Sequence, residues 1–264
     1  MARDIDDVLD FRTDLPPFLV HLTRSGFRAR SPEDFDETLG GQTAADNLRE
    51  ILESCKIRPG RIPPCDPVSP ARYGCSTKDM EADDLRRFFH AVCFSETPLG
   101  QVHALLDIDG RWVDLQPYGL VFRKERLVAK GVSPVWYVNN VPGDKDPVFR
   151  MMAQLTKAKP EVAEQVLPLM SLFGQKIRPW GAGPQEGEVD FRWEREWRLP
   201  ASQAPLRFDG DDVFVGLCPD DEIVDFESRF SPLKFIDPAR DVQVYARKLV
   251  QRRKELGLTE SVVP

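Results

Sequence analysis

The sequence predicts one α+β domain on a largely antiparallel sheet, and three observations carry that prediction. Short apolar runs bounded by Gly and Pro recur through the middle of the chain, as strands of a meander do. Helical periodicity is instead gathered into a few separate stretches. With 264 residues, of which 41% are hydrophobic and 30% charged, the chain can bury roughly three quarters of its unfolded surface, enough for one large core. Global disorder is excluded, and with no repeat or linker in view residues 1–264 read as a single domain.

The first element is LPPFLVHLT, where Phe18, Val20 and Leu22 alternate with Leu19, His21 and Thr23 as in a strand buried on both faces. Thr43 then caps AADNLREILESC, whose Leu48, Ile51 and Leu52 fall at helical spacing. From Arg58 to Lys78, Pro and Gly are too dense for regular structure, so a long loop of the lid type is expected. An acidic helical start at MEADDLRR leads into a core strand over Phe89–Ser95. RWVDL, YGLVF and PVWYVNN continue the meander, with a short helix at KERLVAKG. A helical insertion follows over about residues 146–175, split at Lys159-Pro160. FRWEREWRLP and DDVFVGLCP return to strand patterning, and one charged amphipathic helix spans about residues 238–256.

Charge and cysteine usage narrow the function classes. Lys and Arg number 36 against 43 Asp and Glu, so a generic nucleic-acid binder is disfavoured while a local basic groove is still allowed. The five cysteines are odd in number and scattered, which favours a reducing cytoplasm over a disulfide framework. No apolar run approaches the roughly 20 residues of a membrane span, and MARDIDDVLDF is acidic where a secretory signal starts basic. A soluble cytoplasmic protein is the expectation. His90 and Cys93 lie three apart on a presumed strand and so point to opposite faces, and zinc spacings are missing, so no metal is expected. Cys93 reads as a small buried hydrophobe, and the GxxxxGK[ST] phosphate loop is not present.

The chemistry-bearing stretch is FRWEREWRL. Read as one strand, it puts Phe191, Trp193, Arg195, Trp197 and Leu199 on one face and Arg192, Glu194, Glu196 and Arg198 on the other. Carboxylates two apart on a strand are about 6.6 Å apart, close enough to address one small substrate. Such a pair suits glycosyl transfer, in which negative charge stabilises an oxocarbenium-like transition state and orients ribose hydroxyls. The arginines, Arg198 among them, would keep both acids ionised and could grip a pyrophosphate. A solvated ladder of ion pairs on the same face is the structural alternative.

LVHLT, NLREIL, VCFSETP, YGLVFRKERL with PVWYV, and EREWR, in that order, resemble the bacterial abortive-infection proteins of the AbiG type over nearly the whole chain. The resemblance implies a role in phage defence or a toxin–antitoxin pair, with a cognate toxin, antitoxin or phage protein as partner. A wider likeness is to mono-ADP-ribosyltransferases, and it implies a split mixed or antiparallel sheet with flanking helices and NAD as co-substrate. Carried over, His21 and Thr23 lie on the NAD-binding first strand and Ser95 on the second. Glu194 and Glu196 become the paired glutamates, the second essential. Tyr118 and Tyr137 are candidates for the aromatic that stacks on nicotinamide. The likeness departs at CFSETP, which is not the usual Ser-Thr-Ser pattern, and in the long spacing from CFSETP to EREWR. Nucleic acid enters only as an acceptor, beside protein and water.

Overall fold

The fold was established from a computed structural model, which describes residues 16–25, 42–61, 90–107, 115–139, 147–173, 176–177, 187–188, 191–200 and 204–258. Most of the expected lid loop, the helical start at Met80–Arg87 and all of RWVDL but Leu115 lie outside them.

The architecture is mixed α+β. Fourteen strands are assigned among the described residues: β1 (Phe18–Arg24), β2 (Lys56–Ile57), β3 (Gly60–Arg61), β4 (His90–Ser95), β5 (Leu115–Arg123), β6 (Ser133–Pro134), β7 (Trp136–Asn139), β8 (Met170–Phe173), β9 (Lys176–Ile177), β10 (Gly187–Glu188), β11 (Glu196–Pro200), β12 (Leu206–Arg207), β13 (Val213–Leu217) and β14 (Phe235–Ile236). The helices are α1 (Ala44–Ser54), α2 (His103–Leu106), α3 (Lys124–Ala129), α4 (Pro147–Ala158), α5 (Pro160–Val166), α6 (Ile223–Arg229) and α7 (Ala246–Glu255). The main sheet runs β14-β13-β5-β1-β4-β11-β6, with β3 also paired to β4. Its pairs are antiparallel except β13 with β14.

The first strand among the described residues thus sits in the middle of the sheet. Its Leu19 and Val20 are buried together with Leu120, Val121 and Phe122 of β5, and Phe94 meets the Phe122 ring edge-on. Thr43 starts α1 with a capping box, accepting from the Asp46 N–H while the Asp46 carboxylate takes the Thr43 N–H, and Leu48 enters the core. At the other end of the chain, Arg252 of α7 is buried and donates to the carbonyls of Gly210, Val213 and Phe214, fastening the helix to β13.

Three expectations are corrected. FRWEREWRL is not one strand: Phe191–Glu194 form a 3₁₀ turn, Arg195 has φ 46°, and the strand begins at Glu196. The cause is β4, whose following residue Glu96 donates its N–H to the Arg195 carbonyl and so pins the turn. The insertion does not remain helical to Gly174, because α5 gives way to a 3₁₀ turn at Leu167–Leu169 and then to β8, which pairs parallel with β7. Pro168 has no N–H with which to extend the helix. The last helix is shorter than expected, since Val242–Tyr245 is a 3₁₀ turn capped by Asp241 ahead of α7.

Two glycines are demanded by close approach. A Cβ on Gly119 would lie 2.2 Å from the His21 carbonyl oxygen, and one on Gly216 would lie 2.1 Å from the Phe235 ring. Gly119→Ala and Gly216→Ala are each expected to destabilise the fold by about 1–3 kcal/mol through overpacking. Lower urea midpoints at unchanged m-value check this, and unmoved midpoints refute it.

Candidate functional site

The site is built where β1, β4 and β11 run side by side. Val20 pairs with Ser95, and Ser95 pairs with Glu196, so one line of register crosses the three strands. Directly opposed residues of antiparallel strands have Cβ atoms about 4.5–5.5 Å apart and share a face. Ser95 and Glu196 are therefore neighbours, brought together across about a hundred residues of chain.

The β1–β4 ladder is confined to that pair, whereas β1 and β5 pair over almost the whole of β1. Continued register would set His21 opposite Phe94; the two rings are tilted at 5.6 Å, and His21 Nδ1 lies 2.8 Å from the Cys93 carbonyl oxygen. A carbonyl only accepts, so Nδ1 carries the proton and Nε2 of the neutral ring is left as an acceptor. Burial lowers the His21 pKa below its ordinary value, opposed by the Cys93 hydrogen bond.

Around Glu196 every polar group has a partner. Arg198 Nε donates to Oε1 at 2.9 Å and Arg198 Nη2 to Oε2 at 2.7 Å, a bidentate fork. Arg198 is 2% exposed and its Nη1 also donates to the carbonyls of Pro168 and Met170. The Glu196 N–H donates to Tyr137 Oη at 2.8 Å, and its carbonyl accepts from Val135. Burial, with the nearby carboxylates, raises the Tyr137 phenol to about 12, and burial with the Glu196 charge keeps Cys93 a thiol. Ser95 Oγ donates to the Glu194 carbonyl at 2.5 Å, so Thr97, whose Oγ1 is 2.8 Å away, is the donor between the two hydroxyls.

From the sequence Glu96 reads as an ordinary loop acid in preference to a group that orients His21 or an arginine; the structure pairs it with Arg195. Its buried carboxylate meets Lys124 Nζ, Arg195 Nη2 at 3.1 Å and the Trp197 indole N–H at 3.4 Å. Its place directly after a core strand is the available signal, since an acid buried there must find cations.

The residues expected at one site divide into two groups. Ser95, Glu196, Tyr137 and Arg198 gather at β4 and β11, with Glu194 in the adjoining turn, whereas His21, which follows Val20 on β1, leaves the opposite face of the strand and meets Phe94 and the Cys93 carbonyl. Thr23 and Tyr118 lie elsewhere. Thr23 is buried and its hydroxyl is directed at the carbonyls of Ala44 and Tyr118. Tyr118 donates to Glu222 and lines an open depression of about 580 Å³ with Arg49, Thr43, Gln116, Asp221 and Asp225. Burial and the bond to Glu222 push its phenol above the usual range. Two expected roles need correction. Arg198 cannot grip a pyrophosphate, because its guanidinium is buried against protein acceptors. The solvated ladder of Arg192, Glu194, Glu196 and Arg198 fails as well, since Arg192 and Glu194 lie in the turn ahead of the strand and Arg198 is buried. Among the described residues no group of three or more His, Cys, Asp or Glu side chains is placed to hold a metal, and no helix is long and apolar enough to cross a membrane.

No protein-family model matches the chain, and neither a curated protein nor a solved structure matches it.

His21 sets a pH dependence. Its folded-state pKa lies below the ordinary 6.5, so the unfolded chain binds the proton better; the stability that the neutral ring contributes is complete above 6.5 and is lost as pH falls toward the folded value. Replacing the ring by an amide that still donates to Cys93, as in His21→Asn, is expected to flatten the fall in urea midpoint between about pH 7 and 5. An equally steep fall in the variant refutes the assignment.

Proposed function

We propose that this chain is an ADP-ribosyltransferase-like protein of bacterial phage defence, working in the cytoplasm and transferring ADP-ribose from NAD to a macromolecular acceptor. The observation that supports the reading is the register line that sets Ser95 against Glu196, on one face of β4 and β11. The ADP-ribosyltransferase-like split sheet belongs to the same proposal.

The polar groups fit a ribose-bearing substrate. Each carboxylate oxygen of Glu196 offers two lone pairs, and the Arg198 fork takes one from each, so both can still accept a ribose hydroxyl. In the transfer, the bond from C1′ of the ribose to nicotinamide breaks and its electron pair leaves with nicotinamide. Glu196 stabilises the positive charge that develops on the sugar. A nucleophile of the acceptor then bonds to C1′ and gives up its proton, with Glu194, two residues before Glu196, as the base. Ser95 holds the turn that carries Glu194 through the Glu194 carbonyl. Tyr137, bonded to the Glu196 backbone, is preferred over Tyr118 as the aromatic next to the reacting sugar.

A second reading has its own support. Both oxygens of Glu196 already take the Arg198 fork, which suits a non-catalytic antitoxin or sensor module that keeps the scaffold and binds a protein partner.

Thermal denaturation with and without NAD separates the two readings, because a ligand at 100 times its Kd adds about 2.7 kcal/mol of stability. Glu196→Gln is expected to keep NAD affinity and to lower NAD consumption about 10²- to 10⁴-fold. Wild-type consumption in that variant removes Glu196 from the chemistry, and a melting curve indifferent to NAD leaves the module reading.

A further inference from the structure

We propose that Arg198 is the positioning residue of this site, and that it ties the setting of Glu196 to the helical insertion. The proposal rests on the reading of Glu196 as the acid that faces the ribosyl cation. Arg198 stands two residues beyond Glu196 on β11, so both side chains leave the same face of the strand. Neighbours on one strand do not by themselves fix each other, because a carboxylate on a flexible stem rotates freely. Here the planar fork meets both carboxylate oxygens and allows one orientation of the acid.

The fork is itself held from behind. Nη1 donates at 2.8 Å to the Pro168 carbonyl and at 3.1 Å to the Met170 carbonyl, on either side of the turn where α5 passes into β8. Both carbonyls lie where the chain changes conformation: the helix has ended at Val166 and β8 has just begun. β8 pairs with β7, and Tyr137 of β7 accepts the Glu196 N–H, which closes a ring of contacts from acid to fork to insertion and back to the acid. Moving α4 and α5 relative to the sheet must therefore move the guanidinium, and with it the carboxylate. Arg198 touches no substrate; it acts through Glu196.

The test uses the full chain and NAD as the probe. Wild type, Arg198→Lys and Arg198→Gln are compared for kcat and KM of nicotinamide release, with melting temperature as the control for folding. Lysine keeps the charge and loses the fork. The expected result is a fall in kcat of about 10²-fold in Arg198→Lys at a KM within about threefold of wild type, the signature of a misaimed group rather than of lost binding. Arg198→Gln is expected to match it. Should the Gln variant not fold, the Lys variant decides alone. Near-wild-type kcat in a folded variant overturns the positioning role, as does a rise in KM at unchanged kcat. A wild type that neither binds nor consumes NAD overturns the parent reading, and this inference with it, so the two failures are told apart by the wild-type arm.

Discussion

The ion pair between buried Arg198 and half-buried Glu196 is the constraint around which the β11 side of the molecule is arranged. A guanidinium removed from water is tolerated only when its donors find acceptors, and removing one member of such a pair leaves an expensive uncompensated charge. Glu196 supplies two acceptors, and two backbone carbonyls of the insertion supply two more. The insertion is thereby docked by polar satisfaction as much as by apolar contact. Glu96 builds a comparable arrangement with Lys124, Arg195 and Trp197 and holds the kink before β11. The strand that carries the candidate acid is clamped by two charge clusters, which is why a chain segment so rich in Arg and Glu can lie inside the fold.

Local physics made part of this legible in the sequence. The capping box at Thr43, the break at Lys159-Pro160 and the apolar alternation of β1 are each decided within a few residues, and each stands where it was expected. The juxtaposition of Ser95 with Glu196 could be expected only through the family likeness, since neither residue type nor spacing specifies a partner strand. What stayed hidden was decided at long range. Arg195 leaves the strand conformation because Glu96, across the pairing of β4 with β11, takes both its carbonyl and its guanidinium. Met170–Phe173 becomes a strand because β7 is there to pair with it. Alternation predicts faces correctly only while a strand continues, and no local signal in RWEREW marks the turn.

The division of the expected residues follows from β1 being central. Its two neighbours carry different sets of polar groups, and residues on one strand can serve either side. His21 reaches toward β4, while Thr23 bonds to β5 and to the start of α1. Thr23 therefore joins α1 to the sheet, and the depression beside Tyr118 and Arg49 is framed by α1 and the segment entering α6. A sequence pattern that assigns both residues to one ligand treats two-residue spacing as a shared destination, and a central strand does not guarantee that.

The middle position of β1 also bears on how the chain is made. Thr23 and its β5 contact at Tyr118 are 95 residues apart, so at about 5–20 residues per second a ribosome needs roughly 5–20 s between them. Until Cys93 of β4 is made, 72 residues after His21, the nascent chain carries an apolar segment, FLVHLT, with both edges open. The burial of β1 therefore waits on strands synthesised about 70 to 100 residues later.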